Sequence, residues 1–352
     1  MIRAIASIVI LIFLSSCGSP EVDIKKSDHF NGKVFYNLNE SKLQSSFKDF
    51  LKWRFGSKRK NWPKWVDIQQ KKVPNQRVEK EGLSISFINH ATTLIQIDGV
   101  NILTDPVYSK RTSPFSFAGP KRVKLPGVRF EDLPKIDVIL ISHNHYDSFD
   151  VKTLDKLIKR DDPKILFGLG NEYYLNEKTE ENVVEMDWQD EFIFKDIKFV
   201  FLPARHWSKR GLFDTNKSLW GAFAILGSKK IYFAGDTGYS DHFKNAKKQF
   251  EYFDLSLIPI GAYEPRWFMK ESHMNPEESV IAHNDLNSGK SIGMHFGTFQ
   301  LTNEKIDDPV KDLNEAMVKY KISNEDFLIL GQGESYLGPV ESYPLKFFNI
   351  SN

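Results

Sequence analysis

The segment SHNHYDSFD, residues 142–150, follows directly on IDVILIS (136–142), an apolar run typical of a buried strand. Two histidines two residues apart, and an aspartate two residues further on, can converge on one ion, because imidazole nitrogen and carboxylate oxygen coordinate zinc at about 2.0–2.2 Å. The same residue types also occur in polar turns that bind nothing. His143, His145 and Asp147 are therefore candidate metal ligands that need support from the rest of the chain.

Three further strand ends supply that support. His206, Asp236 and His295 stand in PARHW (203–207), FAGDTG (233–238) and GMHFGTF (293–299), each at or just beyond the end of a β-like run. Histidine and aspartate are ligands that suit zinc, manganese and iron alike. Repetition of the pattern at four strand ends is improbable by chance and predicts one metal centre.

The remaining pattern predicts a mixed α/β domain. An antiparallel meander over 83–88, 93–98 and 101–105 comes first, and strands then alternate with helices predicted near 150–160, 276–286 and 309–320. The further predicted strands are 136–142, 164–168, 192–203, 220–226, 230–236, 255–261, 291–297 and 327–331. This order is compatible with two sheets flanked by helices in one large domain.

Composition limits the class of protein. The 352 residues carry 48 Lys and Arg against 46 Asp and Glu, and this balance argues against a nucleic-acid-binding protein. Hydrophobic residues make up 41% of the chain, enough for a sizeable core. The single cysteine excludes a disulfide framework and a Cys-rich zinc site.

The N-terminus, MIRAIASIVILIFLSSCGSP, has the short apolar run of a signal peptide. Its LSSC end (14–17) resembles the lipobox of bacterial lipoproteins, which predicts cleavage after residue 16, acylation of Cys17 and a membrane contact through the acyl chains. The alternative is an ordinary secretory signal with a chance cysteine. The lipoprotein interpretation places the chain in a bacterial cell envelope, at an outer membrane or periplasmic face, with polar residues 17–45 as a tether.

Residues 46–80 are predicted to pack on the main domain or to extend it. The stretch FKDFLKWRFGSKRKNWPKWV (47–66) mixes tryptophans with lysines and arginines. Such a mixture suits a phosphate-rich interface. The alternative is that the tryptophans pack on the domain while the basic groups stay solvated.

Several separate blocks resemble the metallo-β-lactamase superfamily of hydrolases, and within it the N-acyl-phosphatidylethanolamine-hydrolysing phospholipases D and their bacterial relatives. The blocks include INHATTLIQIDGVNILTDP (88–106), HNHYDSFD (143–150), FAGDTGY (233–239) and GAYEPRWFMKESHMNPEES (261–279). The resemblance covers a domain at about 81–342. It implies an αββα sandwich with the metal site at one edge of the two sheets.

The resemblance also implies two metal positions. The first would be held by His143, His145 and His206 with Asp236 bridging, and the second by Asp147, Asp236 and His295. In the family a further histidine follows the motif aspartate directly, but this chain has Ser148 there. Since a serine hydroxyl is a poor zinc ligand, the second site is expected to be weaker or to take water instead. A mononuclear enzyme, a second site filled only at high metal concentration, and lost activity all remain open.

The implied function is that of a zinc-dependent phosphodiesterase of the phospholipase D type, in which a metal-bound hydroxide attacks an N-acylated phospholipid. Asp147 would orient the attacking water, and His273 would steady the phosphate or leaving group. With Ser148 in place, more of the second metal's role in stabilising the phosphate oxygens would fall on His273, Arg266 or the remaining ligands. The alternatives are a mononuclear lactonase or esterase, and a non-catalytic metal- or lipid-binding lipoprotein. The oligomeric state is not predicted.

Other residues receive structural roles. Asp105 is predicted to buttress the ligand loops, and His90 is interpreted as a buried structural histidine. Asn275 and Asp150 are predicted helix caps. The histidines without a matching motif, His29, His242 and His283, are interpreted as surface or cap residues.

Overall fold

The computed structural model describes residues 27–38, 47–56, 59–73, 75–179 and 181–338. The predicted signal peptide and Cys17 lie outside these residues. Within the described ranges, no helix has the length and apolar character needed to cross a membrane.

In the part of the chain that the structure describes, fourteen strands form two sheets of seven. In chain order they are β1 Leu83–Asn89, β2 Thr92–Ile97, β3 Val100–Thr104, β4 Val138–Leu140, β5 Lys164–Gly168, β6 Val183–Met186, β7 Glu191–Phe194, β8 Ile197–Leu202, β9 Ala222–Leu226, β10 Lys230–Phe233, β11 Phe253–Pro259, β12 Ser288–Met294, β13 Phe327–Leu328 and β14 Ser335–Gly338. The first sheet has the order β14-β1-β2-β3-β4-β5-β6 and the second β13-β12-β11-β10-β9-β8-β7. Each sheet is antiparallel at one side and parallel at the other.

Helices cover the outer faces of the sheets. They are α1 Phe47–Gly56, α2 Val151–Asp161, α3 His242–Phe250, α4 Arg266–Met269, α5 Pro276–Asp285 and α6 Asp308–Tyr320. In β4, Val138 and Leu140 belong to the core between the sheets, whereas Ile139 packs in a second cluster with Leu154 of α2. Side chains of a strand alternate between its faces, so a strand covered on both sides is apolar throughout. The predicted αββα sandwich is confirmed.

Several elements differ from the sequence-based expectation. The run 192–203 is a hairpin of β7 and β8, because Lys195 adopts a left-handed φ of 51° at the turn. Strands β6 and β14 and helix α3 were not predicted. The strands are short, half-buried edge strands, and α3 buries only Phe243 and Ala246. Their apolar patterns are therefore too short to stand out.

The predicted tether is too long at its C-terminal side. Residues 27–38 pack on the domain, where Phe35 is fully buried in the core between the sheets. Asn37 donates to the carbonyl of His206 (2.9 Å) and accepts from its N–H (3.2 Å). This segment therefore holds the backbone of a predicted metal ligand.

The interpretation of His29 and His283 as surface or cap residues is wrong. His29 is buried, and its ring stacks on Trp188 with a centroid separation of 3.9 Å. His283 is buried and bonds Ser291 through Nδ1 (2.8 Å). His242, the third of these histidines, is the half-buried first residue of α3. A lone histidine gives no sequence signal that separates these core roles from solvent exposure.

The basic-aromatic segment contacts the domain through its tryptophans. Trp53 of α1 stacks on Phe268 at 5.1 Å between ring centroids, and the indole of Trp62 donates to the carbonyl of Glu304 at 2.8 Å. Phe55 and Trp65 are exposed. This arrangement matches the packing alternative for Trp53 and Trp62 and leaves apolar surface exposed beside it.

Candidate metal centre

Strand ends of both sheets meet at one edge of the sandwich. The segment after β4 carries His143 and His145, and the loop after β8 carries His206. Their ligand atoms lie within 4.8 Å of one another. His145 Nδ1 is 3.2 Å from His206 Nε2, and His143 Nε2 is 3.7 Å from Asp236 Oδ2. The four predicted ligands of the first position are thus brought together.

Hydrogen bonds fix which nitrogen of two of these rings faces the centre. His206 Nδ1 lies 2.9 Å from the carbonyl oxygen of Ser272 and must donate to it, so a neutral ring keeps its lone pair on Nε2. Ser142 donates its hydroxyl to Asp105 (2.6 Å) and can therefore accept from His143 Nδ1 (2.9 Å). In both rings the unprotonated Nε2 therefore faces the centre and can coordinate a metal ion.

Asp105 has the buttressing contacts predicted from the sequence. It accepts the Ser142 N–H at 2.8 Å as well as the Ser142 hydroxyl. Burial raises the pKa of Asp105 well above its usual value, and these two donated hydrogen bonds oppose the rise. The aspartate thus orients His143 through Ser142.

The buried atoms around the centre fit a metal cation. Burial lowers the pKa of His143 to about 3, so its ring is neutral. Among the described residues, the buried His143 Nε2 and Asp236 Oδ1 have no hydrogen-bond partner. Buried polar atoms normally have one. Neutral imidazoles beside a carboxylate are the donor set that Zn²⁺ and related divalent ions prefer.

A second group adjoins the first through Asp236. His295 Nε2 lies 3.0 Å from Asp236 Oδ2 and 3.3 Å from Asp147 Oδ2. Burial alone would raise the pKa of both aspartates and lower that of His295. Their mutual attraction outweighs burial, holding both carboxyl pKa values well below the usual range and raising the pKa of His295 to about 10. Asp147 and Asp236 are therefore both ionised and buried, and they need a neighbouring cation to balance their charge.

His90 contributes to this second group. His90 Nε2 is 3.1 Å from Asp147 Oδ2, and its ring lies 3.9 Å from that of His295. Its predicted burial is confirmed, but its side chain faces the candidate ligands rather than only the core.

His273 lies at the mouth of the centre. Its Nδ1 is 4.0 Å from Asp236 Oδ2, and the residue is half-buried. The predicted cap of α5 is confirmed, since Asn275 and Glu278 form a reciprocal capping box. Arg266 instead donates to the His273 carbonyl and pairs with Glu278 at 2.6 Å. Arg266 therefore positions the His273 loop, and the expectation that it helps to hold the phosphate is not supported by these contacts.

Two residues of the motif have other roles than ligation. Ser148 is completely buried, and its hydroxyl interacts with Asp105, where it opposes the rise in the pKa of that carboxyl. Asp150 occupies the N-cap position of α2 but makes no side-chain cap hydrogen bond. It accepts instead from Ser109 N (2.8 Å) and Thr153 Oγ1 (2.6 Å). Asp150 thus ties the motif to the loop after β3, which corrects its predicted capping role.

Sequence reasoning did not find Arg210, which lies three residues beyond the PARHW block (203–207) around His206. Its guanidinium donates to the carbonyls of Asn144 (2.9 Å) and Phe149 (2.7 Å), and it lies 4.1 Å from the ring centroid of Tyr146. The half-buried arginine between these carbonyls holds the turn that carries His145 and Asp147. The only sequence signal is an arginine four residues after a candidate ligand, which is not specific.

We expect Arg210→Lys to lower metal affinity by about 10- to 100-fold, the usual cost of removing support for a ligand. A lysine has one compact charge and lacks the planar guanidinium that lies over the Tyr146 ring. Chelator competition measures the effect. The matched control is Arg160→Lys, since Arg160 also lies over a ring, that of Phe130, and donates to two carbonyls away from the centre. Equal metal affinities for the two variants would contradict the assigned role.

Comparisons with known proteins place the sequence among metal-dependent hydrolases. The sequence profile of the β-lactamase superfamily domain matches residues 100–296. The chain is 38% identical over 270 residues to N-acyl-phosphatidylethanolamine-hydrolyzing phospholipase D 1 of Caenorhabditis elegans, covering 72% of this chain and 76% of that protein. It is 34% identical over 253 residues to the mitochondrial phospholipase D of the same name in Saccharomyces cerevisiae, covering 68% and 54%.

A solved structure shares the fold. A metallo hydrolase from the archaeon Ignicoccus hospitalis aligns with a TM-score of 0.53 at 18% identity, over 73% of this chain and 99% of that one.

Proposed function

Because the chain belongs to the metallo-β-lactamase superfamily of hydrolases, we propose that it is a metal-dependent phosphodiesterase of the phospholipase D type acting on N-acyl-phosphatidylethanolamine-like lipids. The observation that carries this proposal is the convergence of His143, His145, His206 and Asp236 in a chain 38% identical to an enzyme named for that reaction. Zinc is the ion that this donor set suits best, and manganese or iron would also fit.

The residues around the centre suit hydrolysis of a phosphodiester. One or two divalent ions, when bound, supply an activated water and neutralise phosphate charge. Asp147 is held by His295 and His90 and is placed to orient that water. His273 lies two residues before the N-cap of α5, near the partly positive end of the helix, where an anionic group is stabilised.

A cleft beside the motif supports an amphiphilic substrate. The cleft, of about 240 Å³, is lined by residues of the 109–116 loop and by Tyr146, Phe149 and Arg210. Apolar side chains project from loops that adjoin it: Phe117 is 78% exposed and Phe213 74% exposed. Exposed aromatic side chains next to a cleft are suited to insertion into a lipid surface.

We expect the double variant Phe117→Ser with Phe213→Ser to bind phospholipid vesicles at least about 10-fold more weakly. Each inserted phenylalanine contributes about 1.5–3 kcal/mol to the free energy of membrane binding. Vesicle co-sedimentation measures binding. Turnover of a water-soluble phosphodiester should stay unchanged. Val318→Ser is the control, since Val318 on α6 is 80% exposed and does not line the cleft. Unchanged vesicle binding by the double variant would contradict the lipid-contacting role.

We also propose that acylated Cys17 anchors the chain in a bacterial cell envelope. Ser27, where the described structure begins, lies ten positions after Cys17. At no more than about 3.5 Å per residue, this stretch spans at most about 35 Å. The anchor would thus keep the domain close to the membrane that holds its substrate. Mass spectrometry of the mature N-terminus tests the modification, and an unmodified Cys17 would contradict it.

Vesicles containing N-acyl-phosphatidylethanolamine test the proposed activity. We expect phosphatidic acid and an N-acylethanolamine as products, loss of both after chelation, and recovery when zinc is restored. Hydrolysis of lactones without lipid cleavage would favour the lactonase or esterase alternative. Metal binding without turnover of either substrate would favour a non-catalytic lipoprotein.

A further inference from the structure

The second group of candidate ligands lacks one imidazole at position 148, yet it contains another from a different part of the chain. His90 lies in the turn between β1 and β2, 58 residues before Ser148. One ligand atom from each of His90, Asp147 and His295 lies within 4.8 Å of the others.

The spacing of these atoms fits coordination of one ion. Two ligands that are each about 2.0–2.1 Å from a tetrahedral zinc ion are about 3.3 Å apart. His90 Nε2 is 3.1 Å and His295 Nε2 3.3 Å from Asp147 Oδ2, and His295 Nε2 is 3.0 Å from Asp236 Oδ2. Three edges of a four-ligand site therefore have the expected length.

The backbone holds His90 in this position. Its φ of 50° is left-handed, a conformation that is uncommon outside glycine and concentrates at functional sites. The His90 N–H donates to Thr298 Oγ1 (3.1 Å), and its carbonyl accepts from the N–H of His295 (2.8 Å). These two hydrogen bonds thus join the β1–β2 turn to the loop that carries His295.

We propose that His90 supplies the imidazole that position 148 lacks, so that His90, Asp147, Asp236 and His295 hold the second metal ion. The inference rests on the proposed metal-dependent function, but it concerns metal binding and not the substrate. Ser148 then marks a relocated ligand rather than a lost site. The competing role for His90 is that of a positioning residue, which only hydrogen-bonds Asp147.

Metal counting separates the two roles. The full-length protein and its variants are loaded with zinc, desalted and measured by mass spectrometry, with a chelator titration for the affinity of each ion. We expect two ions in the wild type, one in His90→Ala and two again in the double variant His90→Ala with Ser148→His. His283→Asn, which changes a buried histidine bonded only to Ser291 in the structure, should retain two.

Two results would overturn the inference. Two tightly bound ions in His90→Ala would make His90 a positioning residue. One ion in the wild type, with two in Ser148→His, would show that His90 leaves the second site incomplete. These counts do not depend on which substrate is cleaved, so failure of the lipid assay leaves them valid.

A spectroscopic measurement covers the case in which His90→Ala does not fold. In the cobalt-substituted wild type, each coordinated histidine with a ring N–H gives a strongly shifted proton resonance that disappears in D₂O. Five such signals, from His143, His145, His206, His295 and His90, would support the inference. Four signals in a protein with two bound cobalt ions would overturn it.

Discussion

Asp236→Asn is expected to lower hydrolysis by at least about 100-fold and to remove at least one metal ion, since loss of mere support for a ligand already costs 10- to 100-fold. Asp236 Oδ2 lies 3.7 Å from His143 Nε2 and 3.0 Å from His295 Nε2, so it is shared by both candidate groups. An asparagine keeps the size but loses the charge. Metal content and initial rates on a phosphodiester measure the two effects.

The control for this substitution is Asp241→Asn, because Asp241 is exposed and lies five residues further along the chain. It should keep wild-type metal content and activity. An Asp236→Asn protein that retains two ions and full turnover would show that the carboxylate is not a shared ligand. Thermal unfolding of both variants checks that the fold is intact.

Gly235→Ala is expected to reduce the free energy of unfolding by about 2–5 kcal/mol and to weaken metal binding. Gly235 has a φ of 59°, where an alanine costs about 1–2 kcal/mol. An added Cβ would also lie 2.4 Å from the Cβ of Ser142, and such overpacking costs about 1–3 kcal/mol more. Because Ser142 orients His143, the displacement reaches the metal centre. Denaturant unfolding in excess chelator and chelator competition measure the two effects separately.

Gly99→Ala is the control that measures the cost of a left-handed alanine without a steric clash. Gly99 has a φ of 73° in the turn between β2 and β3, and nothing lies within 4 Å of its added Cβ. We expect about 1–2 kcal/mol of destabilisation and unchanged metal affinity. If both glycine variants lose the same stability and bind metal equally well, the contact between Gly235 and Ser142 has no role in the centre.

The sandwich and most of the centre could be predicted because the signals are local. Fully buried strands such as β4 read as continuous apolar runs, and the polar residues that interrupt these runs mark the strand ends. His143, His206, Asp236 and His295 each follow such an end. Repetition of histidine and aspartate at these strand ends, together with the family resemblance, assigns these residues to one site from the sequence.

Contacts made over long sequence distances could not be predicted. Asn37 reaches the backbone of His206 across 169 residues, and Arg210 reaches Asn144 across 66. His90 faces Asp147 only because the β1–β2 turn is bonded to the loop after β12. A single sequence shows these residues as ordinary polar groups, since no periodicity marks which distant turn they will meet.

Hydrolysis in ¹⁸O-labelled water tests the proposed function most directly. The zinc-loaded protein is incubated with N-acyl-phosphatidylethanolamine vesicles, and the products are analysed by mass spectrometry. Attack of water on phosphorus predicts one ¹⁸O atom in the phosphate of phosphatidic acid and none in the N-acylethanolamine. Labelled fatty acid, or no labelled phosphatidic acid from a protein with its metal bound, would contradict the assignment as a phospholipase D-type phosphodiesterase.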